Sequence, residues 1–303
     1  MKLILTHMGS DLPAYVEFCL KQLRYWNGDE LEIVFLMQDK YISADRNKDW
    51  FSSYNIQPYP YEELKSERTD EFYNLSWYHV WGTPNTKYPS PPNFVQGTSE
   101  RLFHLAAYCE KFDISGAYHI ENDIMMYESF AKIDNVTRKN YDELTATVVG
   151  HNDMACALVY IPRHKHIAKA CNFILEMMSE GNDVLLRKYP EMGMVHEMTI
   201  LRKYQYLQYL PSLPWHRHYK DFQALFDPAS WGQYLGGTNN FGNGVGWAGN
   251  HHYVGQEILA KRFSARMERQ NGVYIPYALC NDGQQYRLNN LHIHCKELQK
   301  FLS

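Results

Sequence analysis

KLILTHM, residues 2–8, is a short apolar run that ends in polar residues, and this pattern predicts a buried β-strand. From Leu12 to Trp26, apolar residues recur at helical spacing. LEIVFLM, residues 31–37, then predicts a second buried strand. A β-α-β unit with short connections indicates a parallel sheet covered by helices, so the opening of the chain predicts an α/β fold.

Further elements continue this alternation along the chain. Strands are predicted over 116–120, 145–150, 155–161 and 291–296, and helices from about 98, over 164–180 and over 196–209. The Trp- and Pro-rich segment 74–97 predicts an ordered loop, and the glycine-rich segment 226–250 predicts a loop that carries binding. Because the chain shows no repeat and no linker, we expect one domain over residues 1–303.

Composition excludes several classes of protein. The 303 residues carry a formal net charge of -4, which gives no broad basic surface for nucleic acid. No apolar run approaches the roughly 20 residues of a transmembrane helix, and the N-terminus turns polar too early for a secretory signal. The 6 cysteines are scattered without a CxxC pair, which indicates reduced thiols. These features predict a cytoplasmic protein.

The sharpest local signal is HIEND, residues 119–123, where a predicted buried strand runs into two acids separated by one residue. Open α/β sheets bind ligands at the carboxyl edge of their parallel strands. Carboxylates at such an edge are costly unless they are hydrogen-bonded, paired or bound to a cation, and their hard oxygens suit Mg²⁺ or Mn²⁺. Glu121 and Asp123 are therefore candidate metal ligands, with a solvated turn as the alternative.

A second signal is LHIHCK, residues 291–296. Alternate residues of a strand share a face, so His292, His294 and Lys296 are expected to project together. An imidazole can ligate a metal such as Mn²⁺, and a lysine supplies positive charge for a phosphate. Strand alternation disfavours a zinc site that includes Cys295, because it sends this thiol to the opposite face. A polar strand end without a ligand remains open.

Together, an acid pair at a mid-chain strand end and a late His-x-Lys provide what a clamp for a metal and a diphosphate requires. In these residues the sequence resembles the GT-A glycosyltransferases, and among them the small soluble enzymes of large DNA viruses and bacterial surface-glycan pathways. The resemblance covers most of the chain. It rests on the opening strand Leu3–His7, the helix start TSER (98–101), the D-x-D-like Glu121-Asn122-Asp123, the loop FDPASWGQYLGG (226–237) and the closing HCK (294–296).

The resemblance implies a GT-A fold and a sugar transfer from a nucleoside-diphosphate donor, with a UDP-sugar favoured, to a hydroxyl of a glycan or glycoprotein acceptor. It implies Mn²⁺ or Mg²⁺ at the leaving diphosphate, bound by Asp123 and His294, with Glu121 on the metal, through water, or on the ribose. The donor-binding residues that it implies are Thr6, His7, Arg101, Glu121, Asn122 and Lys296. Residues 1–123 are then the nucleotide-binding part, and residues 124–303 bind sugar and acceptor and close the metal site.

Three further residues are candidates for the chemistry. Glu197 opens a predicted helix, where the helix dipole stabilises an acid without any catalytic duty. Inverting GT-A enzymes place their base at a comparable helix start, so the resemblance makes Glu197 the candidate general base. Asp227 and Gln233 lie in the glycine-rich loop and are the candidates for direct contact with the sugar.

Two other functions stay open on sequence alone. A non-enzymatic carbohydrate-binding protein would explain an aromatic content of 15%, but it would not need the acid pair with the late His-x-Lys. A metal-dependent phosphohydrolase or nucleotidyltransferase would usually group more acids and histidines in short motifs, and it would release a sugar phosphate.

Overall fold

A computed structural model describes residues 1–9, 11–75, 94–237 and 249–303 of the chain. The strands are β1 (Lys2–Thr6), β2 (Glu32–Met37), β3 (Ile56–Pro60), β4 (Ser115–Ile120), β5 (Ile124–Met126), β6 (Thr145–Val148), β7 (Met154–Arg163), β8 (Gln208–Leu210), β9 (Phe263–Gln270), β10 (Val273–Cys280), β11 (Gln285–Arg287) and β12 (Asn290–His292). The α-helices are α1 (Val16–Asn27), α2 (Asp39–Ile42), α3 (Asp45–Ser53), α4 (Glu67–Asn74), α5 (Phe94–Lys111), α6 (Phe130–Asn140), α7 (His164–Ser179), α8 (Asn182–Lys188), α9 (Glu197–Leu201), α10 (Tyr219–Phe222) and α11 (Tyr253–Leu259).

A seven-stranded sheet in the order β3-β2-β1-β4-β7-β6-β8 forms the centre of the fold. All neighbours are parallel except at β7, which runs antiparallel to both β4 and β6. Consequently β1, β4, β6 and β8 all point the same way, and their carboxyl ends meet at one edge of the sheet. The prediction of an α/β fold with a mostly parallel central sheet flanked by helices is confirmed.

Alternate residues of β1 explain why both faces of this sheet are covered. Leu3 and Leu5 pack into one hydrophobic core together with Leu20 of α1. Ile4 points to the other face and packs into a second core together with Leu105 of α5. All five side chains are fully buried, as expected for a strand that lies between two layers of helices.

A two-stranded antiparallel pair brings the end of the chain to the middle of the sheet edge. β5 follows β4 after a tight turn, and β12 pairs with it so that His292 lies opposite Ile124. The amide of Ile293 then donates to the carbonyl of Asp123 at 3.1 Å. These backbone bonds fix the C-terminal histidines beside the acids, which are about 170 residues away in sequence.

Two predicted elements are wrong in their extent. The helix expected over 196–209 ends at Leu201, because the chain then turns and joins the sheet as β8. The side-chain oxygen of Gln208 accepts hydrogen bonds from the amides of Asp142 and Glu143, which holds β8 at the edge. The strand expected over 291–296 ends at His292. The third sheet of the structure is antiparallel, in the order β11-β10-β9. It was not predicted, because charged residues interrupt the apolar pattern of β9.

Some predictions concern residues that the structure does not describe. Most of the loop predicted over 74–97 lies outside the described residues, although α5 begins at Phe94, before the predicted helix start. Residues 238–248 of the glycine-rich segment also lie outside them. The division of the chain at residue 123 into a nucleotide-binding part and a sugar- and acceptor-binding part stays a prediction. Residues from both sides of this division, such as Leu3 and Trp231, pack in the same hydrophobic core. No helix within the described ranges is long and apolar enough to cross a membrane.

Two fully buried histidines predict a loss of stability in acid. Burial lowers the pKa of His119 to about 4 and that of His252 to about 3. As pH falls through 6.5, these two histidines become protonated in the unfolded chain but stay neutral in the folded chain. The free energy of unfolding therefore falls. Between pH 7.5 and 5.5 we expect about 1 kcal/mol of loss from each histidine.

Urea unfolding of His252→Gln and His119→Gln at both pH values measures this loss. In each variant, the difference in the free energy of unfolding between pH 7.5 and pH 5.5 should be about 1 kcal/mol smaller than in wild type, whatever the absolute stability of the variant. The exposed His151→Gln should keep the full difference. Equal pH dependence in all four proteins would contradict the assignment to the buried imidazoles.

Candidate active site

Two acids stand directly after β4, at the edge where β1 also ends. Asp123 is 3% exposed, and Glu121 is partly exposed. The amide of Ile124 donates to the carbonyl of Glu121 at 3.2 Å, which closes a tight turn between β4 and β5. The turn directs both side chains toward His292, because β12 pairs with β5.

Glu121, Asp123 and His292 form a compact group of possible metal ligands. The imidazole Nε2 of His292 lies 3.0 Å from Oδ2 of Asp123 and 3.3 Å from Oε2 of Glu121. One ligand atom from each residue lies within 4.8 Å of the other two. Two carboxylates and an imidazole suit a divalent cation such as Mn²⁺, so the side chains present fit the ion that the sequence analysis predicts.

In this structure the acids are neutralised by protein cations. The ammonium of Lys296 contacts Asp123, and Nη1 of Arg101 lies 2.5 Å from Oε1 of Glu121. Burial opposes the charge on Asp123, but His292 and Lys296 hold its pKa well below the usual range. Burial also opposes the charge on His292, but Asp123 and Glu121 raise its pKa. A divalent cation here would replace the positive charge that His292 and Lys296 now supply.

His294, which the resemblance implies as a metal ligand, packs against His292. Its ring stacks on His292 with centroids 4.1 Å apart, and its Nε2 lies 3.3 Å from the carbonyl oxygen of Ala229. Burial, together with the neighbouring His292, lowers its pKa well below the usual value. The three side chains predicted on one strand face still converge, because a left-handed backbone at Lys296 (φ 62°) turns its side chain back to Asp123. His292 is the histidine that meets the carboxylates, and the role of His294 as metal ligand stays a prediction.

Glu197 is joined to the acids through Arg101. It opens α9, is 1% exposed, and its Oε2 accepts hydrogen bonds from the hydroxyls of Thr98 at 3.1 Å and Ser99 at 3.3 Å. Nη2 of Arg101 lies 3.6 Å from its other carboxylate oxygen. Burial disfavours the charge on Arg101, but Glu121 and Glu197 raise its pKa above the usual value. The guanidinium therefore bridges the predicted base and the predicted metal ligand.

The predicted nucleotide-binding residues cluster at the end of β1. Thr6 and His7 are both largely buried there, and the side-chain nitrogen of Asn122 donates to Nδ1 of His7 at 3.2 Å. The hydroxyl of Tyr15 in turn donates to the side-chain oxygen of Asn122 at 3.3 Å. Burial lowers the pKa of His7, so its ring is neutral and carries its proton on Nε2. That Nε2 is buried and forms no hydrogen bond of normal geometry among the described residues, although the nearby backbone of Asp11 acts to raise the pKa of the ring.

Asp227, which the sequence predicts to contact the sugar, lies among backbone amides, and its contact with a sugar stays a prediction. This carboxylate is fully buried, and its Oδ1 accepts from the amides of Ser230 at 2.6 Å and Trp231 at 2.7 Å. Its Oδ2 accepts from the amides of Gly232 and His292, both at 2.9 Å. Four backbone donors occupy the carboxylate, so Asp227 organises the loop and joins it to β12.

Gln233 is also largely buried, and its side-chain nitrogen donates to the carbonyl of Ala229 at 2.7 Å. Its contact with the sugar stays a prediction. The loop requires a glycine at position 232, because a Cβ there would lie 2.2 Å from the carbonyl oxygen of His292.

No protein-family model and no curated protein matches the chain. It is similar to solved structures that include mouse xyloside xylosyltransferase 1 in its apo form, at 12% identity over 73% of this chain and 91% of that chain, with a TM-score of 0.45. Another is the galactosyltransferase LgtC in complex with donor and acceptor sugar analogues, at 12% identity over 70% and 74% of the two chains, with a TM-score of 0.39.

A third is the apo form of the glycosyltransferase GlyE of Streptococcus pneumoniae TIGR4, at 13% identity over 70% of this chain and 45% of that chain, with a TM-score of 0.41. All three are glycosyltransferases, the class that the sequence motifs resemble. Because these TM-scores lie below 0.5, an activity has to be argued from the residues described above.

The hydrogen bonds of Asp227 predict a large effect on stability. In Asp227→Asn an amide nitrogen replaces one carboxylate oxygen and faces backbone N–H groups that it cannot accept from. We expect the free energy of unfolding to fall by about 3 kcal/mol, because buried donors lose a charged partner. Urea unfolding measures this, with the exposed Asp49→Asn as a matched control that changes stability by less than about 0.5 kcal/mol. Equal stability of the two variants would mean that Asp227 does not hold the loop.

Proposed function

We propose that this chain is a metal-dependent glycosyltransferase that moves a sugar from a nucleoside-diphosphate donor, with a UDP-sugar favoured, to a hydroxyl of a glycan or glycoprotein acceptor. The observation that carries the proposal is the convergence of Glu121, Asp123 and His292 within 4.8 Å, with Lys296 on Asp123, at the carboxyl edge of the sheet. Ligands of α/β proteins bind at this edge.

The charges of the site suit a leaving diphosphate. A divalent cation bound at Glu121, Asp123 and His292 supplies Lewis-acid stabilisation of the negative charge on the leaving group. Lys296 reaches Asp123 with its ammonium, and its side chain is 42% exposed, so it can turn toward a phosphate once a divalent cation compensates the buried charge of Asp123. Its role is to bind the diphosphate and to retain the positive charge there as the glycosidic bond breaks.

Arg101 has a different task, because its guanidinium is buried between two carboxylates. It holds Glu121 at 2.5 Å and Glu197 at 3.6 Å, so it positions the predicted metal ligand and the predicted base relative to each other. Glu197 accepts two hydroxyl hydrogen bonds on one oxygen and faces Arg101 with the other. For Glu197 to take a proton from the acceptor hydroxyl, one of these contacts has to give way when the acceptor binds.

The donor nucleotide is proposed to bind beside the metal, at the end of β1. The neutral ring of His7 offers Nε2–H as a donor, and Asn122 holds that ring in place at 3.2 Å. Gly9 lies close above the ring, since a Cβ at this position would approach Cε1 of His7 to 2.8 Å. Because Nε2 is buried in this structure, the backbone at Gly9 has to move aside before a ligand reaches this atom.

Metal dependence of nucleotide binding tests the proposal. Without a bridging cation the acids repel a diphosphate, so UDP should bind at least about tenfold more weakly in excess EDTA than with Mn²⁺ when measured by calorimetry. Asp123→Asn should bind UDP equally weakly in both conditions, whereas the exposed Asp282→Asn should behave like wild type. Equal affinity of wild type with and without metal would contradict the proposal. Release of free UDP from UDP-sugars then separates transfer from phosphohydrolase chemistry, which releases a sugar phosphate.

The two stacked histidines provide a second test. Mn²⁺ titration followed by electron paramagnetic resonance should show affinity at least about tenfold lower in His292→Ala than in wild type, because a ligand is lost. His294→Ala removes only the ring that stacks on His292, so we expect a loss of less than about threefold. The reverse order of the two losses would restore His294 as the metal ligand.

A further inference from the structure

A cavity of about 470 Å³ lies beside the edge strand β8, away from the acids. It is bounded by the end of α6, by β8 and by the turn that follows β8. Its lining includes Tyr141, Tyr209, Trp215, His216, Arg217 and His218. The volume lies within the usual range of small-molecule sites, and the lining combines aromatic rings with cationic and amide groups.

Trp215 provides the main aromatic surface of this cavity. Its side chain is 59% exposed, which is the largest exposure among the exposed large apolar residues within the described ranges. One side of the indole contacts Phe263, with ring centroids 5.9 Å apart and planes at 58°. The exposed side of the indole therefore offers an aromatic face to a ligand in the cavity.

The polar side chains around Trp215 are two histidines, which neighbouring groups hold in place, and one exposed cation, Arg217. Nδ1 of His218 lies 2.9 Å from Asp221, and Nδ1 of His216 accepts from the amide of Ser212 at 3.3 Å. Arg217 is exposed and forms no ion pair with an acid in the part of the chain that the structure describes. An aromatic face surrounded by such donors suits a sugar ring, whose C–H groups pack on indole while its hydroxyl or carboxylate oxygens accept hydrogen bonds.

Contacts link this cavity to the candidate active site. The ring of Phe263 lies between Trp215 and Trp231, with its centroid 6.1 Å from that of Trp231. The amide of Trp231 donates to Asp227, and the other oxygen of Asp227 accepts from the amide of His292. Within the sheet, β8 lies three strands from β4, which corresponds to about 14 Å. A chain of a few sugar units spans such a distance.

We propose that the cavity at Trp215 binds a sugar unit of the acceptor glycan that is separated from the reacting hydroxyl by one or more other units. The proposal rests on the proposed function, because it takes the acceptor to be a glycan. Trp215 supplies the stacking face, and Arg217 with the two histidines contacts the oxygens of that sugar. The unpaired guanidinium favours a sugar that carries a carboxylate, such as a uronic or sialic acid.

Fluorine NMR of protein labelled with 5-fluorotryptophan tests this directly on the full chain. The Trp215 signal is identified by its absence in Trp215→Phe, and the signals of the other 6 tryptophans serve as internal references. The probes are methyl glycosides of glucose, galactose, mannose and N-acetylglucosamine, together with glucuronic acid and N-acetylneuraminic acid. We expect at least one probe to shift the Trp215 signal in a saturable way, with an acidic sugar binding at least threefold more tightly than its neutral counterpart.

Variants decide whether the binding belongs to the cavity. In Trp215→Ala, the affinity measured by calorimetry for the sugar that shifts the Trp215 signal should fall at least tenfold. In Arg217→Ala, the preference for the acidic sugar over the neutral one should disappear. Tyr206→Ala, which removes another exposed aromatic ring (52% exposed), should bind like wild type. If no probe shifts the Trp215 signal, or if Trp215→Ala and Tyr206→Ala bind equally well, the proposal is wrong.

The test separates this proposal from the proposed function. UDP affinity with Mn²⁺ and in EDTA is measured on the same protein. Sugar binding at Trp215 without metal-dependent UDP binding would refute the transferase and leave a carbohydrate-binding protein. Metal-dependent UDP binding without any response at Trp215 would keep the transferase and refute the acceptor site.

Discussion

The buried carboxylate of Asp123 is the constraint on which the site depends. A carboxylate that is 3% exposed stays ionised only if positive charge compensates for lost hydration, and His292 and Lys296 supply it from the end of the chain. Backbone pairing of β12 with β5 holds both residues there. The charge arrangement that stabilises the fold without an ion is therefore also the one that a divalent cation and a diphosphate can take over.

Asp227 extends this arrangement to the loop that follows Phe226. Its two oxygens accept from four amides, three in the loop and one at His292, so Asp227 ties the loop to the backbone at His292. From Trp231 the ring of Phe263 continues to Trp215 and the cavity beside β8. One connected set of contacts thereby joins the proposed donor site at the centre of the sheet edge to the proposed acceptor site at its border.

The sequence allowed the opening β-α-β unit and the acids after β4 to be predicted, because fully buried strands leave continuous apolar runs and a polar strand end interrupts them visibly. It could not distinguish His292 from His294, because strand alternation treats the two histidines alike and only the register with β5 places His292 beside the acids. Asp227 could not be recognised as structural, since its partners are backbone amides that leave no trace in sequence. Strand β8 was not predicted, because it forms by pairing with β6, whereas the local spacing of apolar residues over 196–209 is helical.

Anomalous diffraction from crystals grown with Mn²⁺ and UDP tests the central claim most directly. The account predicts one strong manganese peak bonded to a carboxylate oxygen of Asp123, with the imidazole of His292 and a diphosphate oxygen in the same coordination sphere, and with Lys296 turned from Asp123 to the diphosphate. Bound UDP with no manganese at Asp123, or with Lys296 still on that carboxylate, would contradict it.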